Sequence, residues 1–248
     1  MARVAFTDHF SPQAADYGRF RPGYPPALFG WLAGQARSRS LAVDVATGNG
    51  QAALALAEHF DAVIACEPSA AQLAAAPAHR RIEYRCETGE SLSLPDGSVD
   101  LLTAAQAAHW FDWPVFCREA ARVLKPGGVL AIWSYAYCTV TPAVDRVVGD
   151  FARDVVGPYW PRERQLVDEG YRELALPFAP LAPPPQEMTA DWCQRAMLGY
   201  IGTWSAVTRC RVRTGRDPMA VLAPALAAAW GEGIRTVRWP LVVKASRA

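Results

Sequence analysis

Five short apolar runs, separated by amphipathic stretches, dominate the pattern along residues 41–133. The runs are LAVDVA (41–46), DAVIAC (61–66), RIEYRC (81–86), VDLLTA (99–104) and VLAIW (129–133). Runs of this length and composition are typical of strands. After Gly50, apolar residues recur at positions 53, 56, 57 and 60, which is the spacing of one helical face. The alternation of strands with helices predicts a parallel sheet that carries helices on both faces.

Local signals indicate where several of these elements begin and end. Ser69 stands before AAQLAAA, and a serine in that place can cap a helix N-terminus. Residues 112–124 are predicted to be helical because their apolar positions fall on one side. The segment LKPGG (124–128) should end this helix, since proline followed by glycine favours a type II turn.

The pattern changes after Tyr135. Residues 142–156, 190–206 and 217–230 are predicted to be helical, and the proline-rich segment PFAPLAPPP lies among them. A rigid surface connection explains that segment better than a ligand for a proline-binding module. The last apolar run, VRWPLVVKAS, predicts a strand, with its hairpin partner expected within PPPQEMTAD.

Composition narrows the class of protein. The chain has 248 residues with 25 basic and 24 acidic side chains, and neither end carries a basic block. Phosphate contacts need clustered Lys and Arg, so we expect no nucleic-acid partner. No apolar stretch reaches 18 residues and the N-terminus does not resemble a signal peptide, so we expect no membrane partner. The six cysteines form no C-x-x-C pair, which favours reduced thiols, a cytoplasmic location and no metal site.

The segment VDVATGNGQ (43–51) joins the first predicted strand to its helix and has the form of a nucleotide-binding turn. A P-loop needs Lys and Ser or Thr after its last glycine, whereas Gln51 and Ala52 follow here. The dinucleotide pattern G-x-G-x-x-A fits loosely. Asp44, however, would repel a pyrophosphate, whereas it can receive donors from the cationic amino-acid part of S-adenosylmethionine. The alternative role for Asp44 is a simple cap of the turn.

Two further positions bear on the same ligand. Glu67, at the end of the second strand, can accept both hydroxyls of a ribose, which S-adenosylmethionine and dinucleotides share. Ala46 stands where such loops usually have glycine. Because alanine is tolerated where φ is negative, we predict an extended or bridge conformation at Ala46, with Gly48 making the close approach to the ligand.

Four ordered blocks of the sequence resemble the class I S-adenosylmethionine-dependent methyltransferases. They are LAVDVATGNGQAALALA, VIACEPS, ETGESLSLPDGSVDLLTAAQAAHWF and EAARVLKPGGVLAIW. The resemblance implies a doubly wound, Rossmann-like α/β fold with a seven-stranded, mostly parallel sheet and an antiparallel strand from a terminal hairpin over 186–190 and 236–246. We expect one domain, with a lid over 1–24, a cofactor-binding core over 25–135, and a helical insertion with terminal strands on the acceptor side over 136–248.

The resemblance also implies a set of contacts with S-adenosylmethionine. The expected residues are Asp44, Ala46, Gly48 and Gln51 around the methionine part, Glu67 at the ribose, Pro68, Thr88 and Gly89 at the adenine, and Ala105 and Gln106 toward the methionine end or the methyl group. Many relatives have Asp at the position of Thr88, and the threonine hydroxyl can likewise bond the adenine amino group.

The acceptor side is indicated by YGRFRPGYP (17–25) together with QAAHWFD (106–112). These segments resemble, more loosely, the trans-aconitate methyltransferase-like subgroup, whose members methylate carboxylates of small acids. That resemblance implies a shared lid-like segment rather than a shared substrate. The candidate substrate-binding residues are Arg21, Trp110, Trp133 and Trp204, and the candidate catalytic residues are Tyr17 and His109.

Several of these assignments have alternatives. His109 is a candidate base because imidazole titrates near neutrality, but it could equally be a hydrogen-bonded wall residue. Arg21 could bind an acid substrate, bind the methionine carboxylate, or form a surface ion pair. A ring such as Tyr17 facing the sulfonium would contribute about 0.5–2 kcal/mol of cation–π attraction.

The sequence therefore predicts an enzyme that transfers a methyl group from S-adenosylmethionine to a small organic acceptor, with a carboxylate or other oxygen favoured. We expect a monomer or homodimer. The alternatives are an S-adenosylmethionine-binding regulator or scaffold without methyl transfer, a nicotinamide dehydrogenase, and a methyltransferase of RNA or protein. Asp44 and the order of the blocks argue against the dehydrogenase, and the absence of a basic face argues against RNA.

Overall fold

The strands predicted between residues 41 and 133 all form in the computed structural model, which describes residues 20–248. The strands are β1 (Leu41–Val45), β2 (Ala62–Cys66), β3 (Ile82–Arg85), β4 (Val99–Ala105), β5 (Leu124–Ser134), β6 (Ala179–Leu181), β7 (Gln186–Trp192) and β8 (Arg235–Arg247). Each of the first five overlaps the apolar run that predicts it.

Helices separate the strands in the chain. They are α1 (Pro26–Gln35), α2 (Gln51–Ala57), α3 (Ala70–Ala74), α4 (Trp113–Val123), α5 (Pro142–Asp150), α6 (Arg164–Asp168), α7 (Gln194–Gly202), α8 (Ser205–Thr214) and α9 (Met219–Trp230). Shorter 3₁₀ turns cover Ala108–Trp110 and Gly157–Tyr159, and a π turn covers Phe151–Val155. Within residues 20–248, no helix is both long enough and apolar enough to cross a membrane.

The continuous sheet has the strand order β3-β2-β1-β4-β5-β8-β6. Strands β1 to β5 run parallel, and β8 runs antiparallel between β5 and β6. This confirms the predicted α/β fold with a mostly parallel sheet, and the seven strands of this order match the predicted number. Strand β7 pairs with β8 outside this order and is an eighth strand. The chain order reverses between β1 and β4, and open sheets of this kind bind ligands at the carboxyl ends of the strands beside that reversal.

Helices pack on both faces of the sheet because successive strand residues point to opposite sides. On one face, Val43 and Ile132 pack in a buried cluster with Phe116 of α4. On the other face, Trp133 lies in a second cluster with Phe29 of α1. The buried apolar strands predicted from the sequence are therefore covered on both sides.

Two of the local signals are confirmed by hydrogen bonds and dihedral angles. The Ser69 hydroxyl accepts the N–H of Gln72 at 3.3 Å and so caps α3. Helix α4 ends at Val123, and Gly127 has a φ of 84°, as the third residue of a type II turn requires. The turn lies inside β5 and produces a shift in its register with β4.

The two strands of the terminal hairpin are joined by a long segment rather than by a short turn. Strand β7 pairs with β8 from Gln186 opposite Leu241 to Trp192 opposite Arg235. Helices α7, α8 and α9 all lie between these two strands in the chain. The prediction of a helix starting at residue 190 was wrong for its first residues, because they extend β7 along β8. The predicted helix over 190–206 is also divided in two, since α7 ends at Gly202.

Candidate functional site

The loop between β1 and α2 turns through three residues with left-handed backbone. The φ angle is 51° at Ala46, 59° at Gly48 and 86° at Gly50. The prediction of a negative φ at Ala46 was wrong, because the chain turns sharply as soon as β1 ends. Such a conformation costs a residue other than glycine about 1–2 kcal/mol. Backbone bonds from Thr47 to Cys66 and from Gly50 to Thr47, both 3.0 Å, hold the turn in place.

The loop has free space beside Gly48 and is closely packed beside Gly50. A Cβ added to Gly48 would have no atom within 4 Å, whereas one added to Gly50 would lie 2.7 Å from the hydroxyl oxygen of Tyr84. The N–H of Gly48 donates to Oε2 of Glu67 at 3.0 Å. The open space beside Gly48 and next to a carboxylate fits the approach of a nucleoside ligand there.

Asp44 is a fully buried carboxylate near the end of β1. Its oxygens accept from the hydroxyl of Thr47 at 2.6 Å and from the hydroxyl of Thr103 at 2.7 Å. Burial raises the pKa of Asp44 to about 6, the two hydroxyls oppose that rise, and the charge of Glu67 adds to it. At neutral pH the group is mainly ionised, and within residues 20–248 its bonds are to hydroxyls and not to a cation. A buried anion of this kind would stabilise a bound cationic group.

Glu67 follows β2 directly and is 7% exposed. Besides the bond from Gly48, its Oε1 accepts the N–H of Ser69 at 3.0 Å. These two backbone bonds fix the carboxylate beside the loop. The contact of Glu67 with a ribose stays a prediction.

The residues expected at the adenine lie near the ends of β2 and β3. Pro68 is half-buried beside Glu67, and Thr88 is exposed. Gly89 is buried, and a Cβ added there would lie 3.3 Å from the side chain of Val45 and 3.4 Å from that of Phe111. Gly89 therefore also has a packing reason to be glycine.

Gln106 connects the ends of two strands. Its Nε2 donates to the carbonyl of Tyr135 at 3.0 Å, and its Oε1 accepts the N–H of Tyr135 at 2.8 Å. Gln106 also has a left-handed backbone, with a φ of 54°, directly after Ala105. Because both polar groups of its side chain are bound to Tyr135, we assign that side chain a positioning role at the carboxyl ends of β4 and β5.

His109 lies on the 3₁₀ turn that follows β4 and is 9% exposed. Its Nδ1 is 2.8 Å from the hydroxyl oxygen of Tyr171. Burial, and secondarily the charge of Arg164, lower the pKa of His109 to about 3. The ring also contacts Trp110, with 4.7 Å between centroids. This geometry favours the hydrogen-bonded wall residue over the general base.

Arg21 and Trp204, two of the candidate substrate-binding residues, both contact the ring of Tyr200. Nη1 of Arg21 donates to the hydroxyl oxygen of Tyr135 at 2.9 Å, and its guanidinium lies 5.1 Å from the ring centre of Tyr200. Trp204 packs edge-on to the same Tyr200 ring at 6.0 Å and is 4% exposed. Arg21 and Trp204 thus belong to one aromatic cluster beyond the end of β5.

Trp133 has a different place from the one predicted. It is fully buried and packs edge-on against Tyr24 at 5.5 Å and Phe29 at 6.0 Å. Its assignment as a substrate-binding residue is therefore corrected to core packing, because its position on β5 points into the cluster around α1. Tyr17 lies outside the described residues.

Sequence reasoning missed several polar residues at these strand ends. Thr103 pairs in register with Asp44, and that neighbour relation follows from strand pairing rather than from spacing along one strand. Tyr171 comes from a distant loop and carried no local signal. Tyr135 directly follows the fifth strand, so its position could have identified it. Within the described part of the chain, no three His, Cys, Asp or Glu side chains are arranged to hold a metal ion.

A cleft of about 370 Å³ lies elsewhere, among Phe20 and residues of α7, α8 and α9. The ring of Phe20 fits against α7 because residue 199 is glycine: a Cβ there would lie 2.5 Å from the ring. This contact attaches the end of the predicted lid segment to the helices between β7 and β8.

Comparison with known proteins gives consistent results. The methyltransferase domain family matches residues 43–132. A Dictyostelium discoideum protein described as a methyltransferase is 36% identical over 204 residues, which is 81% of this chain and 78% of that protein. A solved structure described as a type II methyltransferase, from Anaeromyxobacter dehalogenans, is 47% identical, with a TM-score of 0.85, and the match covers 92% of this chain and 98% of that one. A Saccharomyces cerevisiae protein described as an S-adenosylmethionine-dependent methyltransferase is 29% identical over half of this chain and 45% of its own.

Proposed function

The chain belongs to the class I S-adenosylmethionine-dependent methyltransferases, and from that membership we propose that its methyl acceptor is a small organic molecule bound at the carboxyl ends of β4 and β5. The observation that supports this most is the aromatic cluster beyond β5. Tyr135, Tyr200 and Trp204 are each 4% exposed or less, and Arg21 lies among them. Enclosed aromatic surroundings suit a small acceptor better than a macromolecular one.

We assign the cofactor contacts to the residues expected from the sequence. When bound, S-adenosylmethionine supplies an activated methyl group whose leaving group departs uncharged. Asp44 and the loop of Ala46, Gly48 and Gln51 would hold its amino-acid part, and Glu67 would hold its ribose. The residues assigned to the adenine are Pro68, Thr88 and Gly89. Ala105 and the backbone of Gln106 would border the methionine end.

The chemistry of the acceptor atom follows from the state of His109. Its pKa of about 3 leaves the imidazole a poor proton acceptor at neutral pH. An acidic acceptor that ionises by itself needs no base, so an oxygen such as a carboxylate is favoured. The task left to the protein is to align the acceptor with the methyl group and to exclude water, which can lower the barrier by several kcal/mol.

We also propose that the enzyme acts in the cytoplasm, as a monomer or homodimer, without nucleic-acid or membrane partners. The balance of 25 basic and 24 acidic residues supports the absence of a nucleic-acid partner. The division into a lid (1–24), a cofactor-binding core (25–135) and an acceptor-side region (136–248) belongs to the same proposal.

The proposal can be tested with S-adenosylmethionine carrying a tritiated methyl group. Protein and labelled cofactor are incubated with a cell extract, which is then separated into low-molecular-mass, protein and RNA fractions. We expect enzyme-dependent label in the low-molecular-mass fraction, and much less with Asp44→Asn. Label confined to protein or RNA would overturn the small-molecule acceptor, and no transfer to any fraction would favour a binding-only role.

A further inference from the structure

Arg164, the first residue of α6, lies against two aromatic rings. Its guanidinium carbon is 4.6 Å from the ring centre of Trp160 and 4.9 Å from that of Tyr137. Trp204 packs against both rings, at 5.5 Å from Trp160 and 5.8 Å from Tyr137. We name Arg164 with Tyr137, Trp160 and Trp204 the Arg164 box. The side chain of Arg164 is only 14% exposed, although it carries a full charge.

The hydrogen bonds of Arg164 are incomplete. Its Nε donates to Oδ1 of Asp168 at 2.8 Å, while Nη2 is buried and has no hydrogen-bond partner within residues 20–248. A buried donor without an acceptor costs about 1–3 kcal/mol, and native proteins leave few of them. The two rings lie within 5 Å of the guanidinium carbon and restrict the movement of this group. An oxygen of a bound molecule would complete the set.

The box lies at the edge of the sheet where the acceptor is expected. Tyr137 is the third residue after β5. The charge of Arg164 acts on His109, which lies in the segment after β4. The cofactor loop and Glu67 follow β1 and β2, so they lie at the carboxyl edge of the same parallel sheet.

We propose that the Arg164 box binds the methyl acceptor, and that this acceptor is a planar organic acid whose anionic oxygen accepts from Nη2. The inference rests on the proposed small-molecule function and narrows its substrate class. Guanidinium is the side-chain group best matched to a carboxylate, and flat rings such as Trp160 and Trp204 favour a flat ligand.

The charge of the box argues against a cationic acceptor. Asp168, the ion-pair partner of Arg164, is 40% exposed, so solvent screens its charge more than that of the better buried guanidinium. The box therefore keeps a net positive character on its buried side. An amine that approached it as an ammonium ion would be repelled.

The test compares acids with matched amides by isothermal titration calorimetry. Benzoate and trans-cinnamate are titrated, alongside benzamide and cinnamamide, into protein saturated with S-adenosylhomocysteine. We expect at least one acid to bind about tenfold more tightly than its amide. Arg164→Met should remove this preference and Arg164→Lys should reduce it. Arg153→Met, which changes an exposed arginine paired with Asp150 and Asp154, is the matched control and should leave it unchanged.

Folding of each variant is checked by its thermal midpoint and by its affinity for S-adenosylhomocysteine. Equal binding of acid and amide, failure of both acids to bind, or a preference that survives Arg164→Met would each overturn the inference. Tritium found only in products whose unmethylated acceptors carry no acid group would also overturn the inference while leaving the proposed function intact. A failure of this inference can thus be distinguished from a failure of the proposed function.

Discussion

Nδ1 of His109 lies 2.8 Å from the hydroxyl oxygen of Tyr171, a residue 62 positions later in the chain. Burial raises the pKa of Tyr171, and polar contacts with the backbone of His109 and the side chain of Ser134 lower it in part. The His109 imidazole, whose pKa is lowered to about 3, is neutral at neutral pH, so one of its two nitrogens carries a proton. We predict that the phenol donates to Nδ1, which leaves the imidazole proton on Nε2.

We predict that His109 remains neutral from about pH 5 to about pH 8, since its pKa is lowered to about 3. The folded pKa is below the usual 6.5, so the contribution of His109 to stability is present above about pH 6.5 and is lost as the pH falls toward 3. The charged groups beside this pair are Arg164 and Lys244, which donates to the Tyr171 carbonyl at 2.9 Å. Nitrogen-15 NMR should show the Nε2–H tautomer, and Tyr171→Phe should free Nδ1 and raise the pKa. A titration of His109 near 6.5 in the wild type would contradict the assignment.

The second prediction concerns Asp44. Its folded pKa of about 6 exceeds the usual 3.8, so protonation is favoured in the folded state and this group contributes more stability as the pH falls from about 6 toward 4. At neutral pH we therefore expect Asp44→Asn to be as stable as the wild type or more stable, yet to bind S-adenosylmethionine at least about tenfold more weakly. Calorimetric titration and thermal denaturation measure the two effects separately.

The pH dependence of cofactor affinity provides a control for that variant. Wild-type affinity should decline between pH 7 and pH 5 as Asp44 protonates, whereas the affinity of Asp44→Asn should change much less. Equal affinity in both proteins at neutral pH would refute the assignment of Asp44 to the cofactor site.

The third prediction follows from the left-handed backbone at Ala46, where φ is 51°. Ala46→Gly should raise the free energy of unfolding by up to about 1 kcal/mol, because glycine adopts this conformation without a Cβ clash. Ala55→Gly, in the ordinary helical backbone of α2, is the matched control and should lower stability by about 1 kcal/mol. Urea denaturation gives both values. A loss of stability in Ala46→Gly equal to that in Ala55→Gly would show that the conformation of Ala46 carries no strain.

A fourth prediction compares two glycines of α7. A Cβ at Gly199 would lie 2.5 Å from the ring of Phe20, whereas one at Gly202 would meet nothing within 4 Å. Gly199→Ala should displace Phe20 and reduce methyl transfer, despite the better helix propensity of alanine. Gly202→Ala should leave activity unchanged. The comparison needs thermal midpoints and initial rates for both variants, and equal rates would show that Phe20 has no role at the acceptor side.

The sequence predicted the parts of the molecule that depend on local pattern. The order of β1 to β5, the Ser69 cap and the glycine turn at Gly127 all follow from periodicity and residue type. The backbone of Ala46 did not, because the loop that begins there is also held by a long-range bond from the N–H of Thr47 to the carbonyl of Cys66.

The polar contacts within the candidate site were harder to predict for a related reason. Thr103 reaches Asp44 across the β1–β4 pairing, and Tyr171 reaches His109 from a loop that shares no sequence pattern with it. The same holds for Arg164, which meets the ring of Tyr137 only after the chain between them folds back. The sequence shows where these residues stand in the chain, but long-range packing determines which side chains they contact.

The pairing of Trp192 with Arg235 gives residues 193–234 the status of an exchangeable cassette. Its two ends are adjacent partners in an antiparallel ladder, so the helices between them can be replaced or lengthened without shifting the register of β8 against β5. Tyr200 and Trp204 lie inside this segment, whereas Arg21, Tyr137 and Arg164 lie outside it. A chimaera built at these two positions would therefore exchange one part of the proposed acceptor surroundings and leave the cofactor half unaltered.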